Sequence, residues 1–353
     1  MRVLRSLPLA ASATAWCAGK QQTWPNMGEG EGKVFHGPDG KLTGVMASLN
    51  YQEPGVKAVW TRRDESGSDD ELHGARFADT SVMIHNGRGE KLALFRNGFE
   101  LHSDLKASHI DYYSEEQILS SYYPQCEALV QKAMGGAARV VAFDHNVRCA
   151  GWKDSGRKLD GGNAVQGPAG LVHADYTAVS GPRRFELLAE PPKVNDVKQP
   201  KLPLEKGDVA GALAGARRWA FVNVWRPIST VPVMDRPLAC CDAQSVTPDD
   251  LLTFEIRYVD RTGENYFAKH APGHKWYYFP QMTRDEALLL LQWDSKGDFA
   301  VQNSGSGGGT KESEASTGSA TFALHSAFLD PSRPVDSPPR ESIEVRCVVI
   351  FND

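Results

Sequence analysis

Three His-x-Asp pairs carry side chains that commonly bind a metal ion: His102/Asp104, His109/Asp111 and His173/Asp175. Residues i and i+2 of a β-strand point to the same face, so such a pair can bind one ion. His102 and His109 flank the polar segment SDLKAS, where His and Asp typically form turns or caps. His173 and Asp175 instead follow a Gly-rich loop and the apolar step Leu171-Val172, as expected where a strand enters a pocket. The sequence therefore predicts that His173 and Asp175 bind a metal and that the other two pairs are structural.

A third candidate ligand, His325, lies in the segment TFALHSAFLDP late in the chain. An iron site with two histidines and one carboxylate takes its last ligand from another strand and keeps its remaining positions open for substrates. His325 suits this role because the strand around it is apolar. The alternative is a hydrogen-bonded histidine of the core.

Arg340 and Ser342 form an Arg-x-Ser pair at the start of the last predicted strand. Oxygenases with such an iron site chelate the metal with 2-oxoglutarate and must hold its distal carboxylate. An arginine fork and a hydroxyl on one strand face suit this task. The order His-x-Asp, His, Arg-x-Ser predicts a double-stranded β-helix oxygenase.

The segment NVWRPI offers three further candidates, Asn223, Trp225 and Arg226. We expect Asn223 and Trp225 to line the substrate pocket and Arg226 to bind a carboxylate of cosubstrate or substrate. The alternative for Arg226 is a strand-end arginine stacked on Trp225.

Arg346 shares strand parity with Arg340 and Ser342, so it is a further candidate for binding the cosubstrate. Its rival role is a surface ion pair with Glu344, which has the same parity. His145 in FDHNVR and Tyr176 beside the predicted ligands are candidates for contacting the substrate or supporting the metal site.

The composition limits the possible partners. The chain has 353 residues, of which 41% are hydrophobic, and a formal net charge of -5. It therefore lacks the basic stripe that nucleic-acid binding requires. The sequence contains no apolar run of about 18 or more residues, the length that a membrane-spanning helix requires. We expect a small-molecule substrate, no nucleic-acid or membrane partner, and a monomer or homodimer.

The N-terminus resembles a targeting peptide, with Arg2, Arg5 and a weakly apolar middle, but Pro8 interrupts it. A disordered extension in the cytoplasm is the favoured interpretation, and a cleaved signal remains the alternative. The six cysteines show no C-x-x-C spacing, which predicts free thiols in a reducing compartment.

Many strands and few helices, without βαβ alternation, predict a mainly β protein with flanking helices and a double-stranded β-helix (jelly-roll, cupin-like) core. We expect a flexible extension over residues 1–40 and a single domain over 41–353, with a low-complexity loop at 303–320. Helices are predicted from Ser114 to Gly135, bent at Pro124, and over TRDEALLLLQWDS from Thr283. A strand is predicted from Lys91 to Phe95.

The chain resembles fungal iron- and 2-oxoglutarate-dependent hydroxylases and desaturases related to gibberellin desaturase, aspergillic acid hydroxylase and the cephamycin methoxylase-associated protein. The resemblance covers most of residues 46–351 through the segments SLNY, FDHNVR, VHADYT, NVWRPI, PLACCD, WYYFPQMTRDEALLLLQWDS, LHSAFLDP and RESIEVR. It implies that His173, Asp175 and His325 bind Fe(II), and that an arginine near the C-terminus holds 2-oxoglutarate.

The resemblance also implies an oxidative reaction in secondary metabolism. With 2-oxoglutarate and O2 as cosubstrates, the outcome is hydroxylation, desaturation or ring closure of a small carboxylate-bearing or amino-acid-derived molecule. Two alternatives remain at this point. A cupin-type metalloenzyme without 2-oxoglutarate would form no succinate, and a catalytically silent binding β-barrel would bind no iron.

Overall fold

The computed structural model describes residues 32–65, 72–103, 105, 109–135, 138–149, 159–160, 165–303 and 317–352. The strands are β1 (Lys33–His36), β2 (Leu42–Gln52), β3 (Val59–Arg62), β4 (Phe77–Asn86), β5 (Phe99–His102), β6 (Ala138–Cys149), β7 (His173–Ala174), β8 (Trp219–Pro227), β9 (Leu238–Cys241), β10 (Leu251–Arg257), β11 (Thr262–Ala268), β12 (Trp276–Tyr278), β13 (Ala287–Asp294), β14 (His325–Ala327) and β15 (Glu341–Phe351).

Helices are few and short. They are α1 (Leu94–Asn97), α2 (Glu115–Gln117), a π-helical turn (Ile118–Tyr122), α3 (Tyr123–Ala133), α4 (Ser180–Leu187), α5 (Lys206–Leu213), α6 (Asp298–Asn303) and two 3₁₀ turns (Ala243–Ser245, Pro248–Asp250). None of the helices in the described part of the chain has the length and apolar character needed to cross a membrane.

The strands form two sheets, which confirms the predicted mainly β architecture. One sheet has ten strands in the order β1-β2-β4-β12-β9-β14-β7-β11-β10-β3, and the other has five in the order β5-β13-β8-β15-β6. Apolar side chains from both sheets pack together in one core, for example Leu49 and Trp276 against Phe221 and Val348. The opposite face of the five-stranded sheet packs against α3 through a second core. The layers are therefore helix, small sheet and large sheet.

The helix predicted from Ser114 is present with a change of period. Ser114 caps α2 by accepting a hydrogen bond from the Gln117 backbone N–H at 3.4 Å. A π-helical turn then precedes Pro124, which lacks the N–H needed for a regular α-helical turn. Gly135 follows the end of α3 with a φ of +70°, a conformation that glycine adopts without strain.

The predicted helix from Thr283 is wrong, because its apolar run forms β13. All eight residues of β13 are buried, with Leu289 and Leu291 facing the helices and Leu288 and Leu290 facing the other side. A strand buried on both faces is apolar at every position and shows no alternation. Glu286 accepts the Thr283 N–H at 3.0 Å, but this contact stabilises a turn rather than a helix.

The predicted strand from Lys91 to Phe95 is also wrong. Residues Leu94–Asn97 form the single helical turn α1. Asn97 accepts the Ala93 N–H through its side chain at 3.0 Å, and Gly98 ends the turn with a φ of +89°. The strand begins only at Phe99, as β5.

The expected boundaries of the extension and the loop are only partly within the described residues. β1 pairs with β2 from Lys33, so the end of the expected extension 1–40 belongs to the sheet rather than to a flexible tail. Residues 1–31 lie outside the described part of the chain. The expected low-complexity loop lies largely outside it as well, because residues 304–316 are not described.

Arg218 and Asp294 join the ends of β8 and β13 beside the end of β15. The Arg218 Nε donates to Asp294 Oδ1 at 3.0 Å, and the Asp294 side chain is fully buried. The Arg218 guanidinium lies 4.3 Å from the Phe95 ring centroid and 4.4 Å from that of Phe351. These contacts therefore hold β8 and β15 in place, and the two strands position the side chains of Asn223 and Arg346 in the protein interior.

We predict that Arg218→Met lowers the free energy of unfolding by about 3–5 kcal/mol, because it leaves the Asp294 carboxylate buried without its cation. Urea denaturation measures this. The control is Arg183→Met, which removes an exposed pair with Glu186 and is expected to cost about 0.5 kcal/mol or less. Equal losses in the two variants would contradict the role of the Arg218–Asp294 pair.

Candidate metal centre and its cavity

His173 and His325 lie opposite each other on neighbouring strands of the ten-stranded sheet. The antiparallel pairing of β7 and β14 brings the two residues into register, and their ring centroids are 4.3 Å apart. His325 is buried, whereas His173 is partly exposed. The pairing of these short strands therefore places two imidazoles that are 152 positions apart in the sequence (325 − 173) side by side.

Each imidazole is oriented by a backbone carbonyl. His173 Nδ1 donates to the Leu171 oxygen at 2.7 Å, and His325 Nδ1 donates to the Ala323 oxygen at 3.2 Å. A carbonyl only accepts, so Nδ1 carries the proton in both rings. This tautomer leaves the lone pair of each Nε2 free to bind a metal.

Asp175 follows β7 at a bend and completes the cluster. Its Oδ1 lies 3.8 Å from His173 Nε2, and the ligand atoms of His173, Asp175 and His325 all lie within 4.8 Å of one another. The second oxygen, Oδ2, accepts a hydrogen bond from Asn223 at 3.1 Å and contacts the Arg346 guanidinium at 3.4 Å. The structure thus brings together the three residues that the sequence suggested as ligands.

The electrostatics of the cluster favour neutral histidines beside an ionised carboxylate. Burial, followed by the effect of His325, lowers the pKa of His173 to about 4, and burial also lowers the pKa of His325. Burial alone would raise the pKa of Asp175, but Arg346 and the two histidines hold it well below its ordinary value. Two neutral imidazoles and one carboxylate are the donor set of non-haem Fe(II) sites, so the residues fit that ion.

Arg346 is held by three carboxylates. It contacts Asp144 at 2.9 Å, Asp175 at 3.4 Å and Glu344 at 3.4 Å. Burial alone would lower its pKa, but these carboxylates raise it well above the ordinary value. The Arg346–Glu344 pair considered from the sequence is therefore present, but it is buried instead of lying on the surface. With its guanidinium engaged in this way, Arg346 orients Asp175.

Arg340 and Ser342 are both buried on the strand side that faces the core. Arg340 Nη1 donates to the Arg236 carbonyl at 2.6 Å, and its guanidinium lies 5.4 Å from the Trp225 ring centroid. Within the described residues, Arg340 Nε and Ser342 Oγ have no hydrogen-bond partner. Burial, followed by the nearby Arg148, lowers the pKa of Arg340 to about 9, so the side chain remains a cation at neutral pH.

The structure corrects the roles predicted for Arg226 and His145, which lie on the helix-facing side of the five-stranded sheet. Arg226 alternates with Val222 and Val224, which pack in the core shared with α3. Its Nε donates to the Arg284 carbonyl at 2.6 Å, and His145 Nδ1 lies 2.9 Å from the Tyr123 hydroxyl. Neither side chain faces the metal ligands, because neighbouring residues of a strand point to opposite faces.

The remaining candidates face the core between the sheets. Asn223 contacts Asp175 as described above, and Trp225 lies beneath Arg340. Tyr176 lines the cavity next to the ligands, with its ring 4.8 Å from that of Phe221. These positions agree with the predicted roles near the pocket but do not test them.

The other two His-x-Asp pairs lie apart from the cluster. His102 Nε2 contacts Glu100 at 3.1 Å, and His109 is exposed. Asp111 accepts the Tyr113 N–H at 2.9 Å, as in an Asx turn, whereas Asp104 is outside the described residues. Neither histidine belongs to the cluster of possible metal ligands, and the structural roles of His102 and His109 stay predictions.

A cavity of about 530 Å³ opens beside the cluster and is lined in part by His173, Asp175 and Arg346. It also contains Arg148, which the sequence interpretation missed. Arg148 lies in FDHNVR and pairs in register with Ser342. Arg148 lies four residues after Asp144 on β6, so the two side chains point to the same face of the sheet. Asp144 is the partner of Arg346, and this spacing could have identified Arg148 from the sequence.

Comparisons with known proteins identify the family. A family model described as "YDMC: Oxidoreductase/YMDC permease-like domain" matches residues 49–350. The hydroxylase/desaturase efuI of Hormonema carpetanum is 30% identical over 291 residues, which cover 76% of this chain and 82% of that protein. The chain belongs to the hydroxylase/desaturase family of oxidoreductases.

A second relative and a solved structure are also similar to this chain. The Fe(II)/2-oxoglutarate-dependent dioxygenase nvfI of Aspergillus novofumigatus is 32% identical over 230 residues, or 65% of this chain and 66% of that protein. A solved structure of the iron and alpha-ketoglutarate-dependent endoperoxidase NvfI covers 88% of this chain and 98% of its own, with a TM-score of 0.66 and 22% identity. The predicted fold and the predicted class, an iron- and 2-oxoglutarate-dependent oxygenase, are confirmed.

We predict that Arg226→Met and His145→Phe lower the melting temperature but leave the dissociation constants for Mn(II) and 2-oxoglutarate within about twofold, because both side chains contact the helices. Calorimetric titration under anaerobic conditions measures the two constants. Asn223→Ala, which removes a contact to Asp175 from the core-facing side of the same strand, is the matched comparison and should weaken Mn(II) binding about tenfold. A tenfold loss of either affinity in Arg226→Met or His145→Phe would contradict the assignment of these faces.

Proposed function

We propose that the protein is a non-haem Fe(II)- and 2-oxoglutarate-dependent oxygenase whose iron is held by His173, Asp175 and His325. The observation that carries this proposal is the convergence of two Nε2 lone pairs and one ionised carboxylate within 4.8 Å. The reaction is hydroxylation, desaturation or oxidative ring closure of a small carboxylate-bearing or amino-acid-derived molecule in secondary metabolism.

The bound iron, with 2-oxoglutarate and O2, supplies the oxidising power to remove hydrogen from an unactivated C–H bond while the oxoacid becomes succinate and CO2. The protein prepares this chemistry by fixing its ligands before any cosubstrate arrives. The carbonyls of Leu171 and Ala323 hold the imidazoles in one tautomer. Asn223 and Arg346 hold the Asp175 carboxylate from the opposite sheet.

Arg340 and Ser342 are the proposed site of the distal carboxylate of 2-oxoglutarate. Arg340 Nε and Ser342 Oγ are buried donors without partners in the described residues, which is costly unless a ligand accepts from them. The Arg340 cation and the Ser342 hydroxyl together match the charge and the acceptor atoms of a carboxylate. Arg346 is less suited to this role because protein carboxylates already surround it.

The cavity beside the metal ligands is the proposed substrate site, with Tyr176 in its wall. Its volume of about 530 Å³ falls within the range of small-molecule pockets. The free thiols of the described cysteines, all buried, support a reducing compartment such as the cytoplasm. A monomer or homodimer remains the proposed state.

We predict that His173→Ala, Asp175→Ala and His325→Ala each abolish succinate formation and weaken Fe(II) binding at least 100-fold, because each removes one of three protein ligands. Anaerobic Fe(II) titration and a succinate assay measure the two effects, and thermal melting checks that each variant is folded. His102→Ala and His109→Ala are the controls and should keep both properties. Full turnover in any of the three ligand variants would refute the proposed site.

We predict that Arg340→Ala raises the KM for 2-oxoglutarate about 30-fold or more, because a buried arginine–carboxylate contact contributes roughly 2–5 kcal/mol. Ser342→Ala should raise it less, since it removes one neutral hydrogen bond. Fe(II) affinity should persist in both variants. If the KM for 2-oxoglutarate is unchanged in Arg340→Ala but increases in Arg346→Gln, Arg346 rather than Arg340 binds the cosubstrate.

A further inference from the structure

The cavity beside the metal ligands is rich in arginine, but most of these cations are neutralised within the protein. The lining arginines in the described residues are Arg63, Arg148, Arg183, Arg184, Arg261 and Arg346. Among them, Arg184 and Arg261 contact Asp196, Arg183 contacts Glu186, and Arg346 contacts Asp144. Arg63 donates to the Tyr258 hydroxyl at 3.3 Å.

Arg148 differs from these four. Its Nη1 donates to the Gly167 carbonyl at 3.0 Å, and none of the ion pairs of 4.0 Å or less among the described residues involves it. Glu344 favours the Arg148 cation through space, but the Glu344 carboxylate contacts Arg346. Burial lowers the pKa of Arg148, since a cation removed from water without a counter-ion is destabilised. An anion bound beside Arg148 would relieve this cost.

The surroundings of Arg148 indicate which part of a ligand it meets. It lines the same cavity as His173 and Asp175, whereas Arg340 and Ser342 do not. Leu171, Phe254 and Phe267 form an apolar wall of this cavity, with the two phenyl rings stacked at 4.4 Å. A ligand here can therefore place an anionic group on Arg148 and an apolar body on the wall.

We propose that Arg148 binds a carboxylate of the prime substrate, which is accordingly an organic acid with an apolar body. This inference rests on the proposed function for the placement of the metal and of 2-oxoglutarate. The planar guanidinium matches a carboxylate through two parallel hydrogen bonds. Arg148 thereby fixes the position of the substrate relative to His173 and Asp175.

The test compares two probes of equal size, 1-naphthylacetate and the neutral 1-naphthylacetamide. Both are titrated calorimetrically into the full-length protein loaded with Mn(II) and saturating 2-oxoglutarate under anaerobic conditions. Mn(II) prevents turnover, and bound 2-oxoglutarate keeps the probes out of the cosubstrate site. We expect the acid to bind at least about tenfold tighter than the amide, because a hydrogen bond to a charged partner is the stronger one.

Arg148→Gln should remove this preference while leaving the dissociation constant for 2-oxoglutarate within about twofold. The matched control, Arg183→Gln, removes a cavity arginine that is paired with Glu186 and should keep the preference. Arg148→Lys retains the charge without the planar fork and should keep part of it. If thermal melting shows that Arg148→Gln is unfolded, Arg148→Lys replaces it as the test variant: a reduced acid preference supports the inference, and an unchanged preference contradicts it.

Three results would overturn the inference. One is that the natural protein does not prefer the acid, or binds neither probe. Another is that the preference survives in both Arg148 variants. The last is a tenfold loss of 2-oxoglutarate affinity in Arg148→Gln with the acid preference intact, which would assign Arg148 to the cosubstrate. Succinate formation is measured separately, so an acid preference without succinate would refute the proposed function and retain only the assignment of Arg148 as a carboxylate-binding residue.

Discussion

The contact between Asp175 and Arg346 joins the two sheets at the point where the proposed metal ligands meet. Asp175 follows β7 in the ten-stranded sheet, and Arg346 lies on β15 in the five-stranded sheet. Burial alone would raise the pKa of this carboxylate, and the Arg346 cation of the opposing sheet is the largest influence that keeps it ionised, followed by the two histidines and the Asn223 amide. The packing of the sheets and the charge of the ligand set therefore depend on each other.

The buried charges form an almost balanced group around this contact. Asp144, Asp175 and Glu344 surround Arg346, and burial raises the pKa of Glu344, with Asp175 adding to the effect. Arg148 and Arg340 lie near Glu344, and among the described residues neither forms an ion pair at contact distance; Arg148 adds to the effect of burial in lowering the pKa of Arg340. The absence of a carboxylate partner for Arg148 and Arg340 among the described residues is the reason for proposing organic acids as their ligands, because a bound carboxylate would neutralise each cation.

The sequence was sufficient for the parts of the site that depend on local spacing. His173 and Asp175 lie two residues apart, and the surrounding Gly-rich and apolar segments distinguished them from the pairs at His102 and His109. The register that places His325 opposite His173 arises from strand pairing over a long sequence separation. The sequence around His325 could identify it as a candidate ligand, but could not show that it lies opposite His173.

The sequence could not show which face of each strand points to the core between the sheets and which points to the helices. In β8, Asn223 and Arg226 differ in parity, and only the helix layer decides which of the two faces the ligands. The same problem affected His145 and concealed Arg148, three residues further along β6. For β13, burial on both faces removed the alternation that normally distinguishes a strand from a buried helix.

The arrangement of strands also bears on which C–H bond reacts. The proposed metal ligands lie on β14 and on or directly after β7 in one sheet, whereas Arg148 belongs to β6 and Arg340 directly precedes β15 in the other. Because both sheets pack on a shared core, the separation between an acid held by Arg148 and the ligand cluster is fixed by the fold. The number of bonds between the carboxylate of a substrate and its reacting carbon must match that separation. If the proposed metal and substrate sites hold, changes at the apolar wall of Leu171, Phe254 and Phe267 would alter which carbon approaches the metal, while the proposed ligand set stays the same.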